Sequence, residues 1–176
     1  MIDQEYVKMI EQRVIDLEDK LTSMSSTKWK THGLIKVMID LIEKNILSGW
    51  SEEAIKNCFL ICNISLKDCC EEGSLICVKW LLANGANVHA QDDLALRYAS
   101  QKGHFEVVKL LLDAGADIHT DDDYALRWAS RKGHFEVVRL LLANGANVHA
   151  QDDYALRYAS QNNHLEVVEL LKSHVW

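Results

Sequence analysis

The chain has 176 residues, 48% of them hydrophobic, and a formal net charge of −7. That is enough apolar material for one compact domain with a short extension, and it excludes a globally disordered chain. The acidic balance argues against broad binding to nucleic acid or to an anionic membrane surface.

The chain starts MIDQEYVKMIEQR, without the basic start and apolar run of an export signal. No apolar stretch approaches the ~20 residues that span a bilayer. The expectation is a cytoplasmic protein whose five cysteines stay reduced. The absence of proline fits a nearly all-helical chain.

Residues 2–24 predict a helix, with Val7, Ile10, Val14, Leu17, Leu21 and Met24 spaced three and four apart. The plainer reading is one amphipathic helix packed on the rest of the chain. The alternative is a weak homodimer through residues 2–24, in which Arg13 and Glu18 would pair across parallel helices. Ser23 to Lys30, SMSSTKWK, is the expected linker. A second helix is expected over 34–47, ended by Ser48-Gly49. Ser51, followed by Glu52 and Glu53, has the chemistry of an N-cap for a third helix running to about Cys62. Residues 1–62 therefore form a helical extension or cap, and the pair over 34–62 is either a decayed repeat or an unrelated element.

From residue 63 the chain repeats. Gly85, Gly115 and Gly145 are thirty apart, as are Asp92, Asp122 and Asp152, and His104, His134 and His164. A fixed period in this range marks a repeat array, in which each unit buries its apolar face only against its neighbours. Shifted back by thirty, Leu66 to Gly73 aligns with Leu96 to Gly103, and Leu75 to Leu82 with Phe105 to Leu112. The array over 63–176 thus holds one divergent unit and three regular ones. In each regular unit an Asp pair precedes a short helix, about 94–101 in the first of them, and a glycine ends it. A second helix follows, from His104 to Asp113, closed by Gly115.

GADIHTDDDYALRWASRKGHFEVVRLLLANGA resembles an ankyrin repeat, through its GAD and GHFEVVRLLL segments. Tyr124-Ala125-Leu126-Arg127 stands where ankyrins carry Thr-Pro-Leu-His. The resemblance covers about residues 64–176. It implies an all-α solenoid that binds a protein partner along a concave face, with no cofactor and no catalysis. The period is 30 rather than the usual 33, so the projecting fingers between units should be truncated. The DDYALRWAS style resembles the short arrays encoded by large viruses of amoebae, which implies a host protein as partner.

Cys58, Cys62, Cys69, Cys70 and Cys77 cluster without a CxxC. Cys69 takes the place of core alanines and Cys77 of core valines, so core filling is the expectation, with no metal. His89, His119 and His149 form one column and His104, His134 and His164 another. Packed helices lie ~8–10 Å apart, too far for one ion to bridge a column. Turn and helix-start hydrogen bonds are expected instead. The suggestive Ser, His and Asp residues all repeat with the period, which argues against a catalytic triad.

The resemblance implies two sets of partner-binding positions. The turn tips are Gln91 and Asp93, Asp121 and Asp123, Gln151 and Asp153. The first-helix ends are Gln101 and Lys102, Arg131 and Lys132, Gln161 and Asn162. Truncated fingers shift the weight to the helix ends, where Lys102, Arg131 and Lys132 form a basic centre suited to an acidic partner. Tyr98, Trp128 and Tyr158 sit at a framework position and are expected to pack. At the C-terminal end Leu112 and Leu142 become Lys172, and Lys-Gly becomes Asn162-Asn163, a polar cap over which Trp176 should fold.

Overall fold

The computed structural model describes residues 64–175 and, before them, Gln12 and Lys36 alone, each helical and exposed. The expectations for residues 2–24, the linker, 34–62, Cys58, Cys62 and Trp176 lie outside the described residues. The array belongs to the second of the two units into which the chain divides, Leu66–Trp176.

Among the described residues eight helices follow one another: α1 (Leu66–Glu72), α2 (Leu75–Ala83), α3 (Ala90–Lys102), α4 (Phe105–Asp113), α5 (Thr120–Lys132), α6 (Phe135–Ala143), α7 (Ala150–Gln161) and α8 (Leu165–Lys172). No strand occurs among the described residues. Each unit is a helix pair. First helices stack in the order α1, α3, α5, α7, and second helices in the order α2, α4, α6, α8. The divergent unit stacks in phase with the rest, α1 against α3 and α2 against α4.

The second helices carry the core because their apolar residues face both neighbours. Val107, Val108 and Leu111 are buried in α4, and the same three columns recur in α6 and α8. Burying one such side chain contributes ~1.5–3 kcal/mol. The first helices supply the small residues that let units close up, with Ala99, Ala129 and Ala159 fully buried. Cys69 stands in that column and Cys77 in the valine column, both inaccessible to solvent. The three described cysteines are buried and form no disulfide with one another. The Cys69 thiol is pushed up by its hydrogen bond with Cys77 and by burial, and burial pushes the Cys70 thiol up to about 12. Such thiols hold little reactive thiolate at neutral pH.

Cys70 occupies the position that Ser100 and Ser130 hold in the next two units. Both serine hydroxyls are buried without a hydrogen-bond partner. The terminal unit escapes this, because Ser160 is exposed and donates to the Leu156 carbonyl at 2.8 Å. An unsatisfied buried hydroxyl costs ~1–3 kcal/mol. Ser130→Ala is therefore expected to stabilise the chain by about 1 kcal/mol in urea unfolding, and Ser160→Ala to leave it within ~0.5 kcal/mol of the parent. Equal effects of the two changes would show that Ser130 finds a partner in solution.

First helices end at a glycine in the left-handed region. Gly103 has φ +82, and the following His104 amide donates to the Ala99 carbonyl at 3.0 Å. The histidine after each such glycine then reaches back one unit. His104 Nε2–H donates to the Glu71 carbonyl at 3.0 Å, His134 to Gln101 at 3.0 Å and His164 to Arg131 at 3.1 Å. Each imidazole thereby meets the last carbonyls of the preceding first helix and lies flat on its glycine. The first and last of the described units depart from this pairing. Ser74 replaces the histidine in the divergent unit and accepts from the Cys77 amide at 3.3 Å as an N-cap. Asn163 replaces the glycine in the last unit, at φ +60. Asparagine is one of the few residues that enters this region readily.

Burial holds the His134 pKa below 6.5, against a smaller opposite effect of its bond to Gln101. The neutral ring is thus the form the fold prefers. Below 6.5 the unfolded chain takes up this proton more readily than the folded one, so stability falls as pH drops. Thermal unfolding followed by circular dichroism should show a fall in Tm between pH 7.5 and 5.5 that is smaller in His134→Gln, whose Tm at pH 7.5 is itself lower. Identical slopes in the two proteins would remove His134 as the source.

Candidate partner-binding face

The connector between units is where the shortened period acts. Instead of a hairpin, each regular unit makes one left-handed turn of three residues: Gln91-Asp92-Asp93, Asp121-Asp122-Asp123 and Gln151-Asp152-Asp153, all with φ between 50 and 57. The helix body begins only after it. Left-handed backbone costs ~1–2 kcal/mol per residue, less for Asp than for most. Something must hold the turn, and two columns of side chains do.

The first is the last Asp of each turn. The Asp93 carboxylate accepts from the Asp117 amide of the next unit at 2.9 Å, from the Thr120 hydroxyl at 3.3 Å and from His89 Nδ1 at 3.1 Å. Asp123 repeats this with the Asn147 amide at 2.8 Å and His119 at 3.2 Å. Asp153 keeps only His149, at 2.7 Å, and its side chain is 48% exposed. His89, His119 and His149 are oriented in turn by Asn87, Asp117 and Asn147, whose side-chain oxygens accept their backbone amides at 2.9–3.0 Å.

The second column is Arg97, Arg127 and Arg157. Arg127 is buried at 6% exposure. It donates to the Asp122 carbonyl at 2.8 Å, the Asp121 carbonyl at 2.6 Å and Gln151 Oε1 of the next unit at 3.1 Å. Arg97 pairs with Asp121 of the next unit at 2.9 Å, and Arg157 reaches the Gln151 carbonyl at 3.1 Å. Aromatic rings interleave with these cations. The Arg97 guanidinium lies 4.4 Å from the Tyr124 ring centre, and Arg127 lies 5.3 Å from that of Tyr154. Tyr124 stacks on Trp128 at 5.5 Å and Tyr154 on Tyr158 at 4.1 Å. A cleft of about 660 Å³ opens beside the first of these turns, lined by His89, Asp92, Asp93, Arg97, Asp117, Thr120 and Asp121.

A family model described as ankyrin repeats, in three copies, matches residues 63–122 and 96–175. The chain belongs to the ankyrin-repeat family. A comparison with curated proteins gives no match. Ankyrin arrays are in general protein-interaction modules.

Within this ankyrin array the expected contact residues fall into three groups. Asp93 and Asp123 differ from the exposed turn tips expected: at 5% exposure each, their carboxylates are closed in by the next unit and hold its Asp117 and Asn147 amides. Asp153, in the last of the described units, is half exposed. At the first-helix ends Gln101 is half-buried, and Lys102 is exposed with Glu71 at 3.6 Å. Lys132 is exposed and makes no ion pair among the described residues, and Gln161 and Asn162 are exposed. Arg131 is half-buried among rings. Tyr98, Trp128 and Tyr158 are partly buried, as framework residues facing a surface would be. Lys172 is exposed, in keeping with a polar end.

Sequence reasoning missed the arginine column and the rings of Tyr124 and Tyr154. The signal was present: arginine recurs at the place where the family carries histidine, in each of the three regular units. No group of three or more His, Cys, Asp or Glu residues is placed to hold a metal ion among the described residues. None of the described helices is long and apolar enough to cross a membrane.

Proposed function

We propose that the chain binds a partner protein along the concave, first-helix face of its ankyrin array and performs no chemistry of its own. The observation that supports this most is a contrast on that face. The Asp and Arg columns of the turns are occupied within the array, whereas the helix ends carry exposed Lys132 and Gln161 beside the partly exposed rings of Tyr98, Trp128 and Tyr158. Aromatic residues flanked by adaptable polar ones are the usual anchors of a protein interface. The likeness to arrays of large viruses of amoebae supports a host protein met in the cytoplasm.

The test is the triple change Lys102→Glu, Arg131→Glu and Lys132→Glu. Helicity should be retained, with stability lower by about 1–2 kcal/mol because Arg131 leaves its rings. Partners captured from the source cell should bind the parent more weakly as salt rises and should not bind the triple variant. If every captured partner binds that variant as tightly as the parent, recognition lies elsewhere in the chain.

The second reading is a bivalent scaffold, supported by the a/d spacing of Val7, Ile10, Val14, Leu17, Leu21 and Met24. Light scattering on the full chain decides it: a dimer mass that reverts to monomer on Val14→Glu supports the scaffold, and a monomer mass excludes it.

A further inference from the structure

Nearly every cation on the first-helix face has an internal acceptor. Lys67 pairs with Asp68 at 3.1 Å and Glu71 at 3.2 Å, and Lys102 lies 3.6 Å from Glu71. Arg97 holds Asp121, while Arg127 and Arg157 hold backbone carbonyls. Arg131 differs. Its guanidinium lies between two rings, 4.6 Å from the Trp128 ring centre and 5.0 Å from that of Tyr158 in the next unit. One nitrogen donates to the Tyr154 hydroxyl at 3.1 Å. No carboxylate pairs with it among the described residues, and none of its nitrogens is buried without a partner. Lys132 beside it is exposed and makes no ion pair among the described residues.

A guanidinium carries five N–H donors in a planar fork. Two ring faces fix the plane, so the side-chain entropy that an arginine loses on capture is already lost before a ligand arrives. The open edge then suits a planar acceptor that takes two parallel N–H bonds, which is the geometry of a carboxylate. The arrangement occurs once. The same position holds Glu71, Gln101 and Gln161 in the other units, and Trp128 is the only tryptophan of its column.

We propose that Arg131 is the anchor of the partner-binding face and captures a carboxylate side chain from an acidic segment of the partner protein, with Lys132 as an adjacent point charge. This rests on the reading that the first-helix face binds protein. A singly charged carboxylate is favoured over a phosphate dianion because the net charge of −7 repels a doubly charged anion more strongly.

The test uses the full chain, with a short blocked oligoglutamate peptide as probe and guanidinium proton–nitrogen NMR as readout. The Arg131 Nε–H resonance should shift saturably with peptide at low salt. Arg131→Lys keeps the charge and should weaken peptide binding by about tenfold, because lysine has no fork. Trp128→Leu keeps Arg131, removes one wall and should weaken binding several-fold, whereas Arg139→Lys on α6 should change nothing. Peptide binding equally tight in Arg131→Lys would reduce the site to net charge and overturn the anchor. Stronger shifts with inorganic phosphate than with peptide at equal ionic strength would overturn the carboxylate. Loss of natural partners in the triple variant together with full binding in Arg131→Lys would sink the anchor and leave the face. Peptide capture at Arg131 with no partner lost in the triple variant would sink the face itself.

Discussion

Gly103→Ala should destabilise the array by about 2–5 kcal/mol, and Gly115→Ala by only about 1–2 kcal/mol. Both glycines are left-handed, at φ +82 and φ +92, so both substitutions carry the backbone penalty. Their surroundings differ. A Cβ on Gly103 would stand 2.5 Å from Nδ1 of His134, while one on Gly115 would meet nothing within 4 Å. The ring cannot step aside freely, because its other nitrogen holds the Gln101 carbonyl at 3.0 Å. The excess of Gly103→Ala over Gly115→Ala therefore measures the closeness of two units. Urea unfolding of both variants reads it directly. A double-mutant cycle adds a check, since His134→Ala should recover part of the loss in the Gly103→Ala background and none in Gly115→Ala. Equal costs for the two glycines would mean that the ring moves without penalty.

The same pair explains why the array was so readable. A glycine and a histidine thirty-one residues later form one joint, so both recur with the period, and the pattern breaks at Ser74 and at Asn163. Columns of this kind are visible in a sequence. Which columns face one another across a joint is not. Asp93 looked like an exposed turn residue because its partner, the Asp117 amide, is a backbone group with no sequence signature. Arg127 was passed over for a related reason, since two of its acceptors are carbonyls of a left-handed turn. That turn departs from the family's usual connector, so the resemblance predicted shorter fingers without saying what replaces them. Arg131 stood out as unrepeated, yet its seat between two rings depends on the distance between α5 and α7, which no local pattern encodes.

Arg127→Met should cost about 2–4 kcal/mol, the largest loss of any single polar replacement on this face, because it removes all three donors from a buried network. The carbonyls of Asp121 and Asp122 would lose their partner while the left-handed turn kept its strain. Arg157→Met, at an exposed position with one bond to Gln151, should cost about 1 kcal/mol or less. The damage from Arg127→Met should also be local. Units in an array contact only their neighbours, so a weakened joint lets the terminal unit open on its own. Native-state hydrogen exchange should accelerate in α7 and α8 far more than in α3 and α4. Uniform acceleration along the array would show that Arg127 supports one unit and not a joint. The consequence reaches the binding face, because Tyr154 and Tyr158 in the terminal unit complete the seat of Arg131. Arg127→Met should therefore weaken oligoglutamate binding several-fold even though Arg127 lies outside the proposed contact. Raising stability with a neutral osmolyte, which favours the closed joint, should restore that binding if the loss comes from an open terminal unit, and should not restore it if Arg127 touches the ligand.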